Sequence, residues 1–168
     1  MENLVMTPAL ANTETQRLDK LKTFNILDSQ PEHPFNIIAV EACHTFNTPI
    51  AIVSLVDKYR VWYKASVGMN GIKEVLREDS LCSMVILQDA VTVFNEALKE
   101  PCLLSNPFVA GEFGLRFFAG APIITSDGFR LGAVCVIDKK PRKFTEGDKL
   151  ILENMASQAM QEIMNRLF

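Results

Sequence analysis

One stretch constrains this chain more than any other: residues 114–140, GLRFFAGAPIITSDGFRLGAVCVIDKK, which hold most of its unbroken apolar sequence. Two β-rich runs, 116–125 and 130–138, flank Ser126-Asp127-Gly128-Phe129, where Asp-Gly supplies the positive φ of a tight reversal. Both runs are apolar at nearly every position rather than at alternate ones. Strands of that kind must be covered on both faces. The hairpin is therefore expected as the central pair of a sandwiched sheet.

The remainder of the chain supplies the cover. Residues 49–57, PIAIVSLVD, form another nearly all-apolar strand, and Lys58-Tyr59 turns it into 60–67, RVWYKASV, whose charged and aromatic mix suits a sheet edge. Upstream, Thr13 and Gln16 make a capping box for a helix with Leu18, Leu21 and Phe24 on one face. After the break at Asp28-Ser29-Gln30-Pro31, the residues Phe35, Ile38, Ala39, Ala42 and Phe46 recur at helical spacing until Thr48-Pro49. Downstream, 68–79 reads as a loop, 80–87 as a short helix behind a Ser or Asp cap, and 90–95 as a strand. Residues 100–111, with Pro101, Asn106-Pro107 and Gly111, are irregular and long enough to be a functional loop. A last helix opens at Thr145-Glu146-Gly147-Asp148 and carries Leu152, Met155, Ala156, Ala159, Ile163 and Leu167 at three- and four-residue spacing.

This order predicts an α+β domain with an antiparallel sheet of about five or six strands. The terminal helices cover one face, and the 80–87 helix with the 100–111 loop covers a pocket on the other. The domain runs over 13–168, after a flexible 1–12. An echo links two of the strands, Val53-Ser54-Leu55-Val56-Asp57-Lys58 and Val134-Cys135-Val136-Ile137-Asp138-Lys139. We read it as two neighbouring buried strands, each closed by an Asp that favours the exit turn.

Composition narrows the function classes. A formal charge of −3 and a pI near 5.4 give no basic field for a phosphate backbone, so nucleic acid is not expected as a partner. No apolar run approaches the roughly 20 residues of a membrane span, and residues 1–10 lack signal-peptide order, which points to the cytoplasm. Cys43, Cys82, Cys102 and Cys135 form no C-x-x-C pair and read as reduced, packed thiols. His33 and His44, eleven positions apart, do not make a metal site.

Several motifs together resemble a GAF domain, a small-molecule-sensing module of signalling proteins. They are Ile26-Leu27-Asp28 with Pro31-Glu32, Pro49-Ile50-Ala51, Val53 to Asp57, Trp62 and Lys64. Further on come Arg77, Ser80-Leu81-Cys82, Asn106-Pro107, Gly111, Arg116-Phe117, Ala119-Gly120-Ala121-Pro122, Gly132, Cys135 to Asp138, and Pro141-Arg142. The resemblance covers about 17–165 and is nearest to the amino-terminal modules of bacterial sensor histidine kinases and diguanylate cyclases. It implies strand order 2-1-5-4-3, a ligand pocket opposite the terminal helices, and a homodimer through those helices. It also implies a kinase or cyclase output in a partner, or in a longer sensor of which this chain is a part.

Departures from the family pattern remove options. Bilin-binding members carry a Cys-His pair on the pocket helix, whereas Cys82 is followed by Ser83 and Met84, so no bilin and no other cofactor is expected. The branch that reduces free methionine sulfoxide places cysteines near the fourth strand, and none stands between Asn106 and Arg116.

The candidate pocket residues are Ser54, Trp62, Ser80, Cys82, Phe94, Asn106, Phe108, Arg116, Phe118 and Cys135. Arg116 beside Asn106-Pro107 suits an anionic ligand, against a structural pairing with Asp138, Glu112 or loop carbonyls, which is the preferred reading. Trp62 suits stacking on a ring or burial under a helix; Ser54 and Ser80 suit donation to a ligand or to their own backbone. Cys82 reads as a redox thiol or, preferably, an inert packed one. The expectation is a non-catalytic sensory module, not an enzyme. A ligandless scaffold whose pocket is filled by Phe94, Phe108 and Phe118 is the rival reading, and a cysteine-based methionine sulfoxide reductase is the remote one.

Overall fold

The computed structural model describes residues 8–167, with side chains from Thr13 onward. Six strands form one antiparallel sheet: β1 (Ile50–Val56), β2 (Arg60–Val67), β3 (Glu74–Leu76), β4 (Thr92–Phe94), β5 (Phe117–Ile124) and β6 (Arg130–Asp138). Their spatial order is β3-β2-β1-β6-β5-β4. Leaving out the three-residue β3 and renumbering gives the expected 2-1-5-4-3. The central position of the β5–β6 hairpin follows from its sequence, since every residue from Phe117 to Ile123 and from Leu131 to Asp138 is buried. Gly128 turns the hairpin at φ +91°, and the Thr125 hydroxyl accepts from the Phe129 amide across the turn.

Two apolar layers flank the sheet. On one side lie α1 (Pro8–Thr23), α2 (His33–Phe46) and α5 (Glu146–Asn165), which bury Leu21, Phe35, Ile38, Ala42, Leu152 and Ile163 against alternate strand residues such as Ala51, Val53, Val134 and Val136. The other side is closed by α3 (Cys82–Val85), α4 (Pro107–Ala110) and three single 3-10 turns, packed on Ile50, Ile52, Phe118, Cys135 and Ile137. The two layers use opposite parities of the same strands.

Several local expectations are corrected. α1 begins at Pro8, so Thr13 lies inside the helix rather than at its start; proline at the first turn has φ preset for it. The expected flexible stretch 1–12 thus overlaps a helix, and its first seven residues lie outside the described ones. Residues 68–79 hold β3 because Gly68, Asn70 and Gly71 adopt positive φ and return the chain along β2. The first half of β2 is consequently not an edge. The 80–87 helix contracts to α3: Ile86 is still buried in the same apolar layer, but the chain turns outward at Leu87, which is 56% exposed. The α5 capping box holds as read, with Thr145 and Asp148 exchanging side-chain and backbone hydrogen bonds.

The strand echo has the same physical content at both sites. Asp57 accepts from the Lys58 amide and from Arg60, and Asp138 accepts from the Lys139 amide and from Arg142. Arg142 in turn donates to the Phe46 and Asn47 carbonyls at the end of α2. Each aspartate thus fixes the turn by which its strand leaves the sheet.

β1 and β6 approach so closely at Gly132 that a Cβ there would stand 1.9 Å from the Ser54 carbonyl oxygen. Backbone cannot yield as a flexible side chain does. Gly132→Ala is expected to cost at least about 3 kcal/mol, read as a lower urea midpoint at unchanged slope; a midpoint within experimental scatter of the parent would show that the central pair can separate.

Candidate functional site

The cover-side interior brings together most of the residues singled out in the sequence. Ser54 on β1 is fully buried beside the β1–β2 bulge, and its hydroxyl donates to the Ala133 carbonyl at 3.2 Å. Ser80, just after the 3-10 turn Arg77–Asp79, accepts the Cys82 amide on its hydroxyl. Cys82 opens α3, and its Sγ lies 3.2 Å from Sγ of Cys135 at the centre of β6. Phe118 on β5 is buried beneath them, with the half-buried Phe94 ring 6.4 Å away. Gly120 makes room for α3: a Cβ there would meet Val85 at 2.6 Å and the Cys135 sulfur at 3.1 Å.

Two polar side chains hold the cover together. Asn106 caps α4 by accepting the Phe108 amide, while its side-chain amide donates to the Asp79 carbonyl, joining the two pieces of the cover. Arg116 donates to the Val109 and Leu115 carbonyls, the loop-carbonyl arrangement weighed from the sequence. Asp138 does not pair with it, because that carboxylate is taken by Arg142 at 2.7 Å. Phe108 lies half-buried at the rim, edge-on to Phe113 at 5.1 Å.

Trp62 is the exception. It faces the helix layer, because it pairs with Leu55, which points to that side; the bulge between Val53 and Ser54 then brings Ala65 to the same side, under α2. There it lines a separate cleft of about 440 Å³ at the outer border of β2, together with Asp28, Asn36, Lys64, Lys73 and Glu74. Trp62 therefore does not share an interior with the other nine candidates.

Sequence reading missed three groups. Tyr63, adjacent to Trp62 but of opposite parity, joins the cysteine layer, where burial and the neighbouring sulfurs push its phenol pKa upward. Lys64 read as an edge-strand charge; its side chain is fully buried and donates to the Ser29 hydroxyl, the Gln30 carbonyl and the Glu32 carboxylate. Glu32 also receives Arg166, at 2.8 Å. Burial would raise the Glu32 carboxyl, and the hydrogen bonds from Lys64 and Arg166 outweigh it and hold the group below its ordinary range. The family motif Asp28 with Pro31-Glu32 was the available signal, but spacing alone does not say that Glu32 reaches β2.

The thiol pair is electrically asymmetric. The hydrogen bond from Cys135 lowers the Cys82 pKa against the effect of burial. Burial and the adjacent Cys82 raise that of Cys135. Among the described residues no group of three or more His, Cys, Asp or Glu side chains is placed to hold a metal ion, and His33 and His44 are exposed. No helix of the described residues is long and apolar enough to cross a membrane.

A family model described as GAF domain matches residues 30–163. A cyclic di-GMP phosphodiesterase of Pseudomonas aeruginosa is 37% identical over 158 residues, which are 94% of this chain and 27% of that protein. The chain thus spans about a quarter of the length of this curated relative. Among solved structures, the GAF domain of an Acinetobacter phosphoenolpyruvate-protein phosphotransferase superposes with a TM-score of 0.67 at 18% identity, covering 95% of each chain. A type II free methionine-R-sulfoxide reductase from Thermoplasma acidophilum superposes at 0.60 with 15% identity, over 79% of this chain and 96% of that one. These two likenesses are likenesses of fold.

Arg77 anchors the start of the cover to α1 through Glu14, at 2.5 Å, and Arg17 binds the same carboxylate at 2.9 Å. Burial pushes the Glu14 pKa up, but the two guanidinium groups overcome this and hold it at about 2, against an ordinary 4.5. With the folded value depressed, the pair stabilises the fold above pH 4.5, and that contribution is lost as pH falls toward 2. Allowing for solvent screening, it amounts to about 1–2 kcal/mol. Glu14→Gln is expected to lower stability at pH 7 by that amount and to flatten the acid limb of the stability profile; an unchanged limb would show that Glu14 is not held by the arginines in solution.

Proposed function

The chain belongs to the GAF domain family, and from that premise we propose that it is a non-catalytic regulatory module of bacterial signal transduction. In this reading a small molecule enters between the sheet and the α3–α4 cover, and its presence is passed to the terminal helices. The observation that carries it is the asymmetry of the two layers. One is built from helices of 14, 16 and 20 residues. The other consists of two four-residue helices and three-residue turns, tied by side chains such as Asn106 and Arg116. Such a cover opens locally without breaking the strand ladder beneath it.

Behind the cover stand apolar groups and a few polar ones, namely Ser54, Ser80, Tyr63 and the two thiols. That lining suits a compact, mostly apolar molecule oriented by one or two hydrogen bonds. The likeness to the Pseudomonas phosphodiesterase supports cyclic-dinucleotide turnover as the output, in a partner or in a longer protein, alongside the kinase or cyclase outputs expected from the sequence.

A specific observation favours a second reading, the ligandless scaffold. Leu103, Val109, Leu115, Phe118 and Cys135 are each no more than 2% exposed and occupy the same layer. Native mass spectrometry of protein purified from its own host separates the two readings. The sensor predicts a bound small mass that disappears on denaturation; a mass equal to the bare chain, unchanged after incubation with the host's metabolite extract, would favour the scaffold.

A homodimer through the terminal helices would use the part of them that the core leaves exposed. The Leu152, Met155, Ala156, Ala159 and Ile163 stripe of α5 is buried in this chain's own core. What faces outward is Ile37 and Val40 of α2 and, on α5, Leu150, Ile151 and Met164. We place the dimer seam on these residues. Light scattering is expected to show a dimer that Val40→Glu converts to monomer without loss of helical content. A parent chain that is monomeric at high concentration would remove this route of signalling.

A further inference from the structure

We propose that Cys82 and Cys135 form a reversible intramolecular disulfide, which gives the domain a two-electron redox site between its cover and the centre of its sheet. Their sulfurs already lie 3.2 Å apart, on elements 53 positions distant in sequence. Closing to a disulfide bond of about 2.05 Å requires a sulfur movement of roughly 1.2 Å. β6 is held between β1 and β5, so the movement falls on α3, a single turn whose N-cap makes no side-chain hydrogen bond. Gly120 leaves the space in which α3 sits against Cys135. The other two thiols have no such partner: Cys43 is half-buried on α2, and Cys102 is exposed on a turn of the cover.

The chemical roles follow from the surroundings. Cys82, with the Cys135 thiol 3.2 Å from its sulfur, is the sulfur stabilised as thiolate; Cys135, pushed the other way by burial, keeps its proton. With hydrogen peroxide as oxidant, the Cys82 thiolate attacks one peroxide oxygen. The O–O bond breaks, hydroxide leaves and is protonated to water, and Cys82 becomes a sulfenic acid. The Cys135 sulfur then attacks the Cys82 sulfur. The S–O bond breaks, the S–S bond forms, and the departing hydroxide takes the Cys135 proton as a second water. Two thiols have lost two electrons, and one peroxide has become two waters. A thiol reductant reverses the linkage by exchange. The bond pins α3 to the sheet and shuts the interior beneath the cover, whether or not a ligand ever enters it.

The test uses the full chain carrying Cys43→Ser and Cys102→Ser, reduced and folded, then treated with hydrogen peroxide and alkylated. Expected are a product lighter by two hydrogens, no alkylation at either cysteine, and one cross-linked peptide pair joining residues 82 and 135 that dithiothreitol reverses. The melting temperature should rise by roughly 10 °C, as closing a loop of about fifty residues predicts. In Cys135→Ala the oxidation should stop at a Cys82 sulfenic acid that dimedone traps. The parent sequence, mapped in the same way, keeps the test valid if a variant misfolds. Peroxide that oxidises Cys102 while Cys82 and Cys135 remain alkylatable, or that oxidises the pair without joining it, would overturn the proposal.

Discussion

Everything in this fold depends on the contact between β1 and β6, where backbone meets backbone at Gly132 with no room for a side chain. These two strands and β5 are apolar on both faces, so neither face can be left to water. The chain answers with two unlike covers. Long amphipathic helices close one face through an apolar stripe each, and short turns close the other through single well-placed side chains. The first solution is rigid because its contacts are many, the second conditional because its contacts are few.

The ionic groups sit where chain ends and turns need fixing. Arg142 and Arg60 each tie a strand exit to an earlier segment, Arg60 meeting Asp28 through two contacts of 2.7 Å. Glu14 takes two arginines and links α1 to the beginning of the cover. In each case the charge is only partly removed from water, so the interaction fixes geometry more than it adds stability. The exception is Lys64, whose ammonium is fully buried and has each of its three donors occupied.

Much of this was legible in the sequence. Unbroken apolar runs identified the central strands, and periodicity identified α2 and α5, because burial on two faces or on one stripe leaves a direct trace in residue type. The pocket candidates Ser54, Phe118 and Cys135 converge because parity on their strands places them on one face, and the segment carrying Ser80 and Cys82 lies over it. What escaped depended on backbone irregularity. The register with β1 decides that Trp62 looks toward the helices and Tyr63 toward the cysteines, and the bulge past Tyr63 then returns Ala65 to the Trp62 side; no residue in RVWYKASV announces either. The three positive-φ residues that bring β3 back along β2 were visible individually, yet a three-residue strand of Glu, Val and Leu carries too little pattern to be recognised.

The sharing of Glu32 between Lys64 and Arg166 bears on how force travels through the molecule. The carboxylate bolts the last turn of α5 to the loop before α2 and, through it, to the second strand. Drawing that turn away would take the Arg166 guanidinium from a carboxylate that Lys64 keeps, so the two cations hold the same group from different elements. The end of α5 and the border of the sheet thus meet at a single carboxylate, and a displacement of either bears on the same group.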